Sequence, residues 1–212
     1  AALTRDVKKA REILPLNVDI FYWEPSAGAP PTESLQGSDV VVHLAGESVQ
    51  GRWTKTKKDR ILQSRVVGTN NLVSALKTMD RPPLRLVAAS AVGYYGDRGD
   101  EELTESSKRG IGFLSDVVSS LEHNLEPLSD AGINNTSLRF GLILSDKGGA
   151  LKELLLPWKC GVGSKIGDGS QWWPWIHIDD AVGLINHTLK TDIPNGPINA
   201  VAPEEVTQAR FA

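Results

Sequence analysis

Val40-Val41-Val42-His43-Leu44-Ala45-Gly46-Glu47 is a short apolar run that closes on small residues and an acid. The run from Val40 to Leu44 has no polar alternation, so it reads as a strand buried on both faces, and the small pair Ala45-Gly46 ends it in a tight turn. The same pattern repeats along the chain. Val18 to Tyr22 predicts a strand before it. After it, Leu62, Val66, Thr69, Leu72, Val73, Leu76 and Met79 recur at three- and four-residue spacing, which predicts one long helix over Lys55 to Met79, stopped by Pro82-Pro83. Leu84 to Ala89 predicts another strand. Ile111, Leu114, Val117, Val118, Leu121, Leu125 and Leu128 mark a second amphipathic helix. Thr136 to Ile143 reads as a strand, Asp179 to Leu189 as a helix capped by Asp179, and Pro197 to Val201 as a last short strand. Strands apolar on both faces that alternate with helices imply an α/β, doubly wound parallel sheet. No repeat or low-complexity tract interrupts this order, and Pro25 to Thr32 is an ordinary surface loop.

The chain has 212 residues, 40% of them hydrophobic, which fits one soluble globular domain or one and a fraction. With 23 basic against 26 acidic residues and a net charge of -3, it lacks the basic face that nucleic-acid or membrane-surface binding requires. The single cysteine, Cys160, rules out an internal disulfide framework and a cysteine zinc cluster. It suits a reducing intracellular compartment: the cytoplasm, or a mitochondrion or plastid if a presequence is missing. No apolar run approaches the roughly 18–20 residues of a membrane span, and Ala1 to Ala10 lacks the apolar stretch of a signal peptide. Both ends read as cut. Leu3-Thr4-Arg5 resembles the tail of a strand, and Glu204 to Ala212 reads as a helix start that stops after about two turns, so further sequence is expected on each side.

In open α/β sheets, ligands bind beyond the carboxyl ends of the strands. Those positions here are Thr4-Arg5, Ala45-Gly46-Glu47, Ser90-Ala91 and Arg139-Phe140-Gly141. Small residues at Ala45, Gly46 and Ser90 let an extended ligand lie close to the backbone; taken singly, each is equally a tight turn.

Several of these stretches resemble one family. Val66-Val67-Gly68-Thr69-Asn70-Asn71-Leu72 is similar to the V-x-G-T-x-N-L helix of extended short-chain dehydrogenase/reductases, and His43 to Glu47 resembles the strand turn before it. Ser90 to Asp97 is similar to the turn that carries their catalytic Ser or Thr. Gly167-Asp168-Gly169-Ser170-Gln171-Trp172-Trp173-Pro174-Trp175-Ile176-His177-Ile178-Asp179-Asp180, with Arg139 to Leu144 and Gly148-Gly149-Ala150, resembles the atypical subgroup known as the epimerase family, the SulA-like proteins. The resemblance implies a Rossmann fold binding NADP(H) over residues 1–145, with 146–212 a small substrate-side lobe packed on it and no independent domain. Together with the strand-end rule, it makes Thr4, Arg5, Leu44, Ala45, Gly46, Glu47, Ser90 and Arg139 the candidate cofactor contacts. It does not imply a particular substrate.

Two departures from the family stand out. The G-x-x-G-x-x-G turn that approaches the pyrophosphate is absent; Gly161-Val162-Gly163 with Gly167 and Gly169 comes late and opens no helix. The Tyr-x-x-x-Lys pair is also absent. Its positions fall on Leu114 and Val118, and the resemblance implies that the subgroup as a whole lacks the pair. Tyr94 and Arg98 have the right spacing but lie in a Gly-rich loop. Candidate catalytic groups are therefore Ser90, Tyr94 and Tyr95, although the family's usual Ser position aligns on Ala91, one residue off.

Arg5 stands where a basic residue selects a 2′-phosphate, and hence NADP over NAD, or else is a solvated surface arginine. Arg139 meets a phosphate or carboxylate, or forms a structural ion pair. His177, Asp179 and Asp180 are too few for a metal site and read as a capped helix start with His177 bracing the turn. Trp158, Trp172, Trp173 and Trp175 pack a small lobe or wall a planar ligand. His43 reads as a core histidine, and Lys55 to Arg60 as the solvated first turns of a helix. Three functions remain: an NADP-dependent oxidoreductase or epimerase-like enzyme, a nucleotide-binding module without turnover, and a structural subunit of a larger assembly.

Overall fold

Caps and breakers set the element ends in the computed structural model, which describes residues 1–159 and 165–211. Cys160 and the Gly161-Val162-Gly163 loop lie outside the described residues, as does the side chain of Trp158. The chain runs β1 (Ala2–Thr4), α1 (Val7–Ile13), β2 (Ile20–Tyr22), α2 (Thr32–Leu35), β3 (Val40–His43) and α3 (Lys55–Leu62). A π-helical segment, Gln63–Val67, then joins α3 to α4 (Gly68–Lys77). Next come β4 (Arg85–Ala91), a 3₁₀ turn (Val92–Tyr95), α5 (Phe113–His123), α6 (Pro127–Asp130), β5 (Asn134–Phe140) and β6 (Leu142–Leu144). The last elements are α7 (Gly149–Lys159), β7 (Trp175–His177), α8 (Ile178–Lys190), β8 (Gly196–Ala200) and α9 (Gln208–Phe211).

Packing divides the chain into two compact units: Ala1–Ala88 with Val117–Asn135, and Ala89–Asp116 with Thr136–Ala212. The sequence-based boundary after residue 145 falls within the second.

In the first unit β1 and β2 pair in parallel, with Leu3 opposite Phe21. β3 and β4 do the same, with Val41 opposite Leu86. The Asn134 N–H donates to the Leu84 carbonyl at 3.0 Å, which sets the start of β5 beside the start of β4. The core is built from the apolar stripe of α4 (Leu72, Val73, Leu76) against Leu86 and Ala88 of β4 and Leu121 of α5. β3 differs from expectation. Val40 and Val42 are each 37% exposed, because β3 lies at the edge of its sheet, whereas β4 is buried along most of its length.

In the second unit β5 pairs in parallel with β8, with Leu138 opposite Ile198, and β6 pairs in parallel with β7. The expected single strand over Thr136 to Ile143 divides at Gly141. A Cβ there would stand 2.5 Å from the Pro174 carbonyl oxygen, so the backbones meet where only glycine fits. Parallel pairing and intervening helices make this the expected α/β, Rossmann-like architecture.

Candidate functional site

The turn after β3 is held by the helix that follows it. Glu47 is fixed at all three of its polar positions. Its N–H donates to Ser64 Oγ at 2.9 Å, its carbonyl accepts from Arg65 Nη1 at 2.7 Å, and its carboxylate accepts from Lys57 Nζ at 2.8 Å. The Lys57 hydrogen bond holds the Glu47 carboxyl below the usual carboxylate range. Gly46 lies flat against Arg65: a Cβ on it would stand 3.0 Å from the guanidinium carbon. Ser64 and Arg65 both belong to the π segment, a local irregularity common at functional sites. The expected continuous helix is thus interrupted at the point where it grips the turn. Lys57 departs from the expected solvated run as well, since its side chain is only 14% exposed.

A cleft of about 450 Å³ opens beside this turn, lined by Arg5, Glu24, Glu47, Asp59, Arg60 and Ser64 among others. Arg5 Nη1 stands 3.7 Å from Glu24 Oε2 and its side chain is 56% exposed, a cation free to exchange a loose partner for an anion. Thr4 has a local role, its hydroxyl accepting from the Asp6 N–H at 3.1 Å ahead of α1. Leu44 is exposed. Beneath the turn, His43 is buried, sharing a 3.1 Å hydrogen bond between Nε2 and Thr69 Oγ1. Burial, then the positive field of Arg65, pushes its pKa from 6.5 down to about 4.

In the second unit Tyr94, Tyr95 and Arg139 form one cluster. The Arg139 guanidinium carbon lies 3.6 Å from the Tyr94 ring centroid, and its Nη1 donates to the Tyr95 hydroxyl at 2.9 Å. That hydroxyl donates in turn to Asn199 Oδ1 at 2.6 Å. Arg139 is 2% exposed, so it binds within this cluster at the end of β5 rather than at an open strand end. Ser90 is buried near the end of β4, and Ser115 Oγ reaches the Tyr94 carbonyl at 2.7 Å. Arg98 forks onto Glu101 at 2.8 and 2.6 Å. Leu114 and Val118, at the positions of the family's proton-transferring pair, lie on α5; Leu114 Cβ is 3.5 Å from a Cβ placed on Gly93.

His177, not Asp179, caps α8. Its Nδ1 accepts from the Asp179 N–H at 3.3 Å, which leaves Asp179 and Asp180 in the first turn, where the helix dipole favours carboxylates. Among the described residues no group of His, Cys, Asp and Glu is arranged to hold a metal ion. The described tryptophans serve different ends. Trp172 donates to Asp100 at 2.8 Å, Trp173 packs against Phe211 at 5.4 Å between ring centroids, and Trp175 Nε1 is buried without a partner among the described residues. No helix among the described residues is long and apolar enough to cross a membrane.

Sequence reasoning singled out Arg5 and the Ala45-Gly46-Glu47 turn but passed over Ser64, Arg65 and the pairing role of Lys57. One signal was available. Arg65 lies four residues from both Ile61 and Thr69, each 0% exposed, so a cation stands on the buried stripe of the helix.

Fold and turns define a Rossmann protein of the short-chain dehydrogenase/reductase type. The profile of the NAD dependent epimerase/dehydratase family matches residues 27–110. The epimerase family protein YfhF of Bacillus subtilis (strain 168) is 36% identical over 205 residues, covering 96% of this chain and 67% of that protein. The human epimerase family protein SDR39U1, solved with NADPH, superposes with a TM-score of 0.83 at 32% identity, covering 99% of this chain and 68% of that one. A nucleoside-diphosphate sugar epimerase from Corynebacterium glutamicum gives 0.79 at 33% identity, with 99% and 48% covered. The chain belongs to the epimerase family. It spans about half to two-thirds of the length of these relatives.

Proposed function

We propose that the protein binds NADP(H) and acts as an oxidoreductase or epimerase-like enzyme on a small-molecule substrate. The observation that carries this is the first unit's cleft, in which exposed Arg5 follows β1 and the clamped Ala45-Gly46-Glu47 turn follows β3. Both lie at strand carboxyl ends, where α/β sheets bind dinucleotides. The donor set fits the cofactor: a loosely paired guanidinium for the 2′-phosphate, and a turn of small residues, Ala45-Gly46, beside it. SDR39U1, solved with NADPH, supports the choice of cofactor. When bound, a nicotinamide dinucleotide supplies a hydride donor or acceptor. The chain's own residues orient it: Arg5 fixes the adenosine end, and Glu47, held by Ser64, Arg65 and Lys57, keeps the turn rigid. Residues 1–145 carry this cofactor region and 146–212 the substrate side. Tyr94 and Ser90 are the candidate proton donors.

A second reading, binding without turnover, is favoured by Leu114 and Val118 at the dyad positions and by the engagement of the Tyr95 hydroxyl with Arg139 and Asn199. Equilibrium binding of NADPH and NADH, followed by NADPH oxidation across a panel of carbonyl and sugar-nucleotide substrates, separates the two. Arg5→Ala is expected to weaken NADPH roughly 10-fold while leaving NADH nearly unchanged, as loss of one charge-assisted contact requires. An unaltered NADPH preference in Arg5→Ala removes Arg5 from the site. Absence of affinity for either nucleotide favours a structural subunit of a larger assembly.

A further inference from the structure

Residues 96–112, between the 3₁₀ turn and α5, carry neither helix nor strand. Connections this long in a compact fold are usually functional. The two ends of this one meet in a neck. Gly96 turns with a φ of +65°, and the Gly110 N–H donates to the Tyr94 carbonyl at 3.0 Å. A Cβ on Gly110 would overlap the Tyr95 carbonyl, so the neck closes only on glycine. Ser115 Oγ is shared across it, 2.7 Å from the Tyr94 carbonyl oxygen and 2.8 Å from that of Gly110. A surface loop with joined ends is an Ω-loop. It is also stitched within itself: the Arg98 guanidinium that forks onto Glu101 donates to the Lys108 carbonyl at 3.1 Å.

None of residues 97–110 is buried, so the loop has no apolar core of its own to hold it down. Its attachments are polar. Arg139 Nη1 donates to the Glu105 carbonyl at 3.3 Å, and the Asn199 N–H donates to Glu105 Oε1 at 2.8 Å. A third tie lies at the rim, where Trp172, 42% exposed, donates to Asp100. The groups against which the loop rests are Arg139 and its partner Tyr95, 2% and 3% exposed. A segment held by a few hydrogen bonds and no buried apolar contact belongs to the low-stability end of a fold. We propose that residues 97–110 form a lid that swings as one body on the Gly96–Gly110 neck, latched by Trp172 on Asp100, and that its opening admits small molecules to Arg139 and the Tyr94–Tyr95 pair. This goes beyond the dinucleotide reading and does not depend on it.

The test compares the full protein with Trp172→Phe, Asp100→Ala and Asp100→Asn, without nucleotide. Hydrogen exchange reads the loop amides, phenylglyoxal labelling read at the Arg139 peptide reports access, and melting curves report global stability. In the unaltered protein residues 98–109 are expected to exchange as one block, faster than β4 and β5. Trp172→Phe and Asp100→Ala each raise block exchange and Arg139 labelling roughly 5-fold, the worth of one net hydrogen bond, at an unchanged melting temperature. Asp100→Asn keeps an acceptor and stays within about twofold of the unaltered protein. Unchanged labelling of Arg139 in both Trp172→Phe and Asp100→Ala overturns the inference, whether or not the loop exchanges faster. So does faster exchange that spreads to β4 and β5 with a lowered melting temperature, which marks a structural tie. Because no nucleotide enters the assay, failure here leaves the cofactor assignment standing.

Discussion

His43 shows how one buried side chain ties the site to stability. Its imidazole is 4% exposed and titrates at about 4 instead of 6.5. Below pH 6.5 the unfolded chain takes up a proton on this ring, while the folded chain stays neutral until pH approaches about 4. Stability therefore falls across that window, by about 3 kcal/mol in full. His43→Gln has no proton to gain, so urea midpoints compared above and within the window should vary less with pH than in the unaltered protein. Equal slopes would show that His43 does not set them. Tyr95 makes a second residue-scale case. Tyr95→Phe removes an acceptor from buried Arg139 and a donor from Asn199. The expected loss is about 1–3 kcal/mol by chemical denaturation; no loss would mean that the cluster repacks. A histidine ending an apolar run is legible from sequence as a core residue. The Arg139–Tyr95–Asn199 chain is not, because its members lie far apart in the sequence and meet only through tertiary folding.

Elements were legible where one face pays no attention to its neighbours' register and obscure where a backbone irregularity intervenes. The stripe Leu72, Val73, Leu76 predicts α4, and those residues enter the core. The π segment was hidden, since its apolar spacing matches that of a regular helix over so short a span. Gly141 splits a strand for a reason found in Pro174, far along the chain. At α8 both His177 and Asp179 are competent caps, and only geometry selects the imidazole. Burial also ranks the helices. Leu76→Ala, at a position 0% exposed, should cost about 2–5 kcal/mol. Ile13→Ala in α1, at a position 69% exposed, should stay within about 0.5 kcal/mol. Paired denaturation curves check the contrast, and equal costs would contradict the assignment of the core.

For the whole molecule, strand–helix alternation was enough for the fold class, and the Trp-rich motif before α8 for the family. The division into two units, each discontinuous in sequence, was not legible, because each is assembled from segments far apart along the chain. The candidate site was half legible. Arg5 and the Ala45-Gly46-Glu47 turn follow from the rule about strand ends, whereas Ser64, Arg65 and Lys57 reach that turn from a helix whose face sequence alone does not orient. This turn and Arg5 are proposed to hold a phosphorylated nicotinamide dinucleotide. Calorimetric titration of the unaltered protein with NADPH and then NADH tests it most directly. Saturable binding of NADPH, tighter than NADH by roughly 10-fold as one additional charged contact implies, is the predicted result. Equal affinity for both, or none for either, would contradict it.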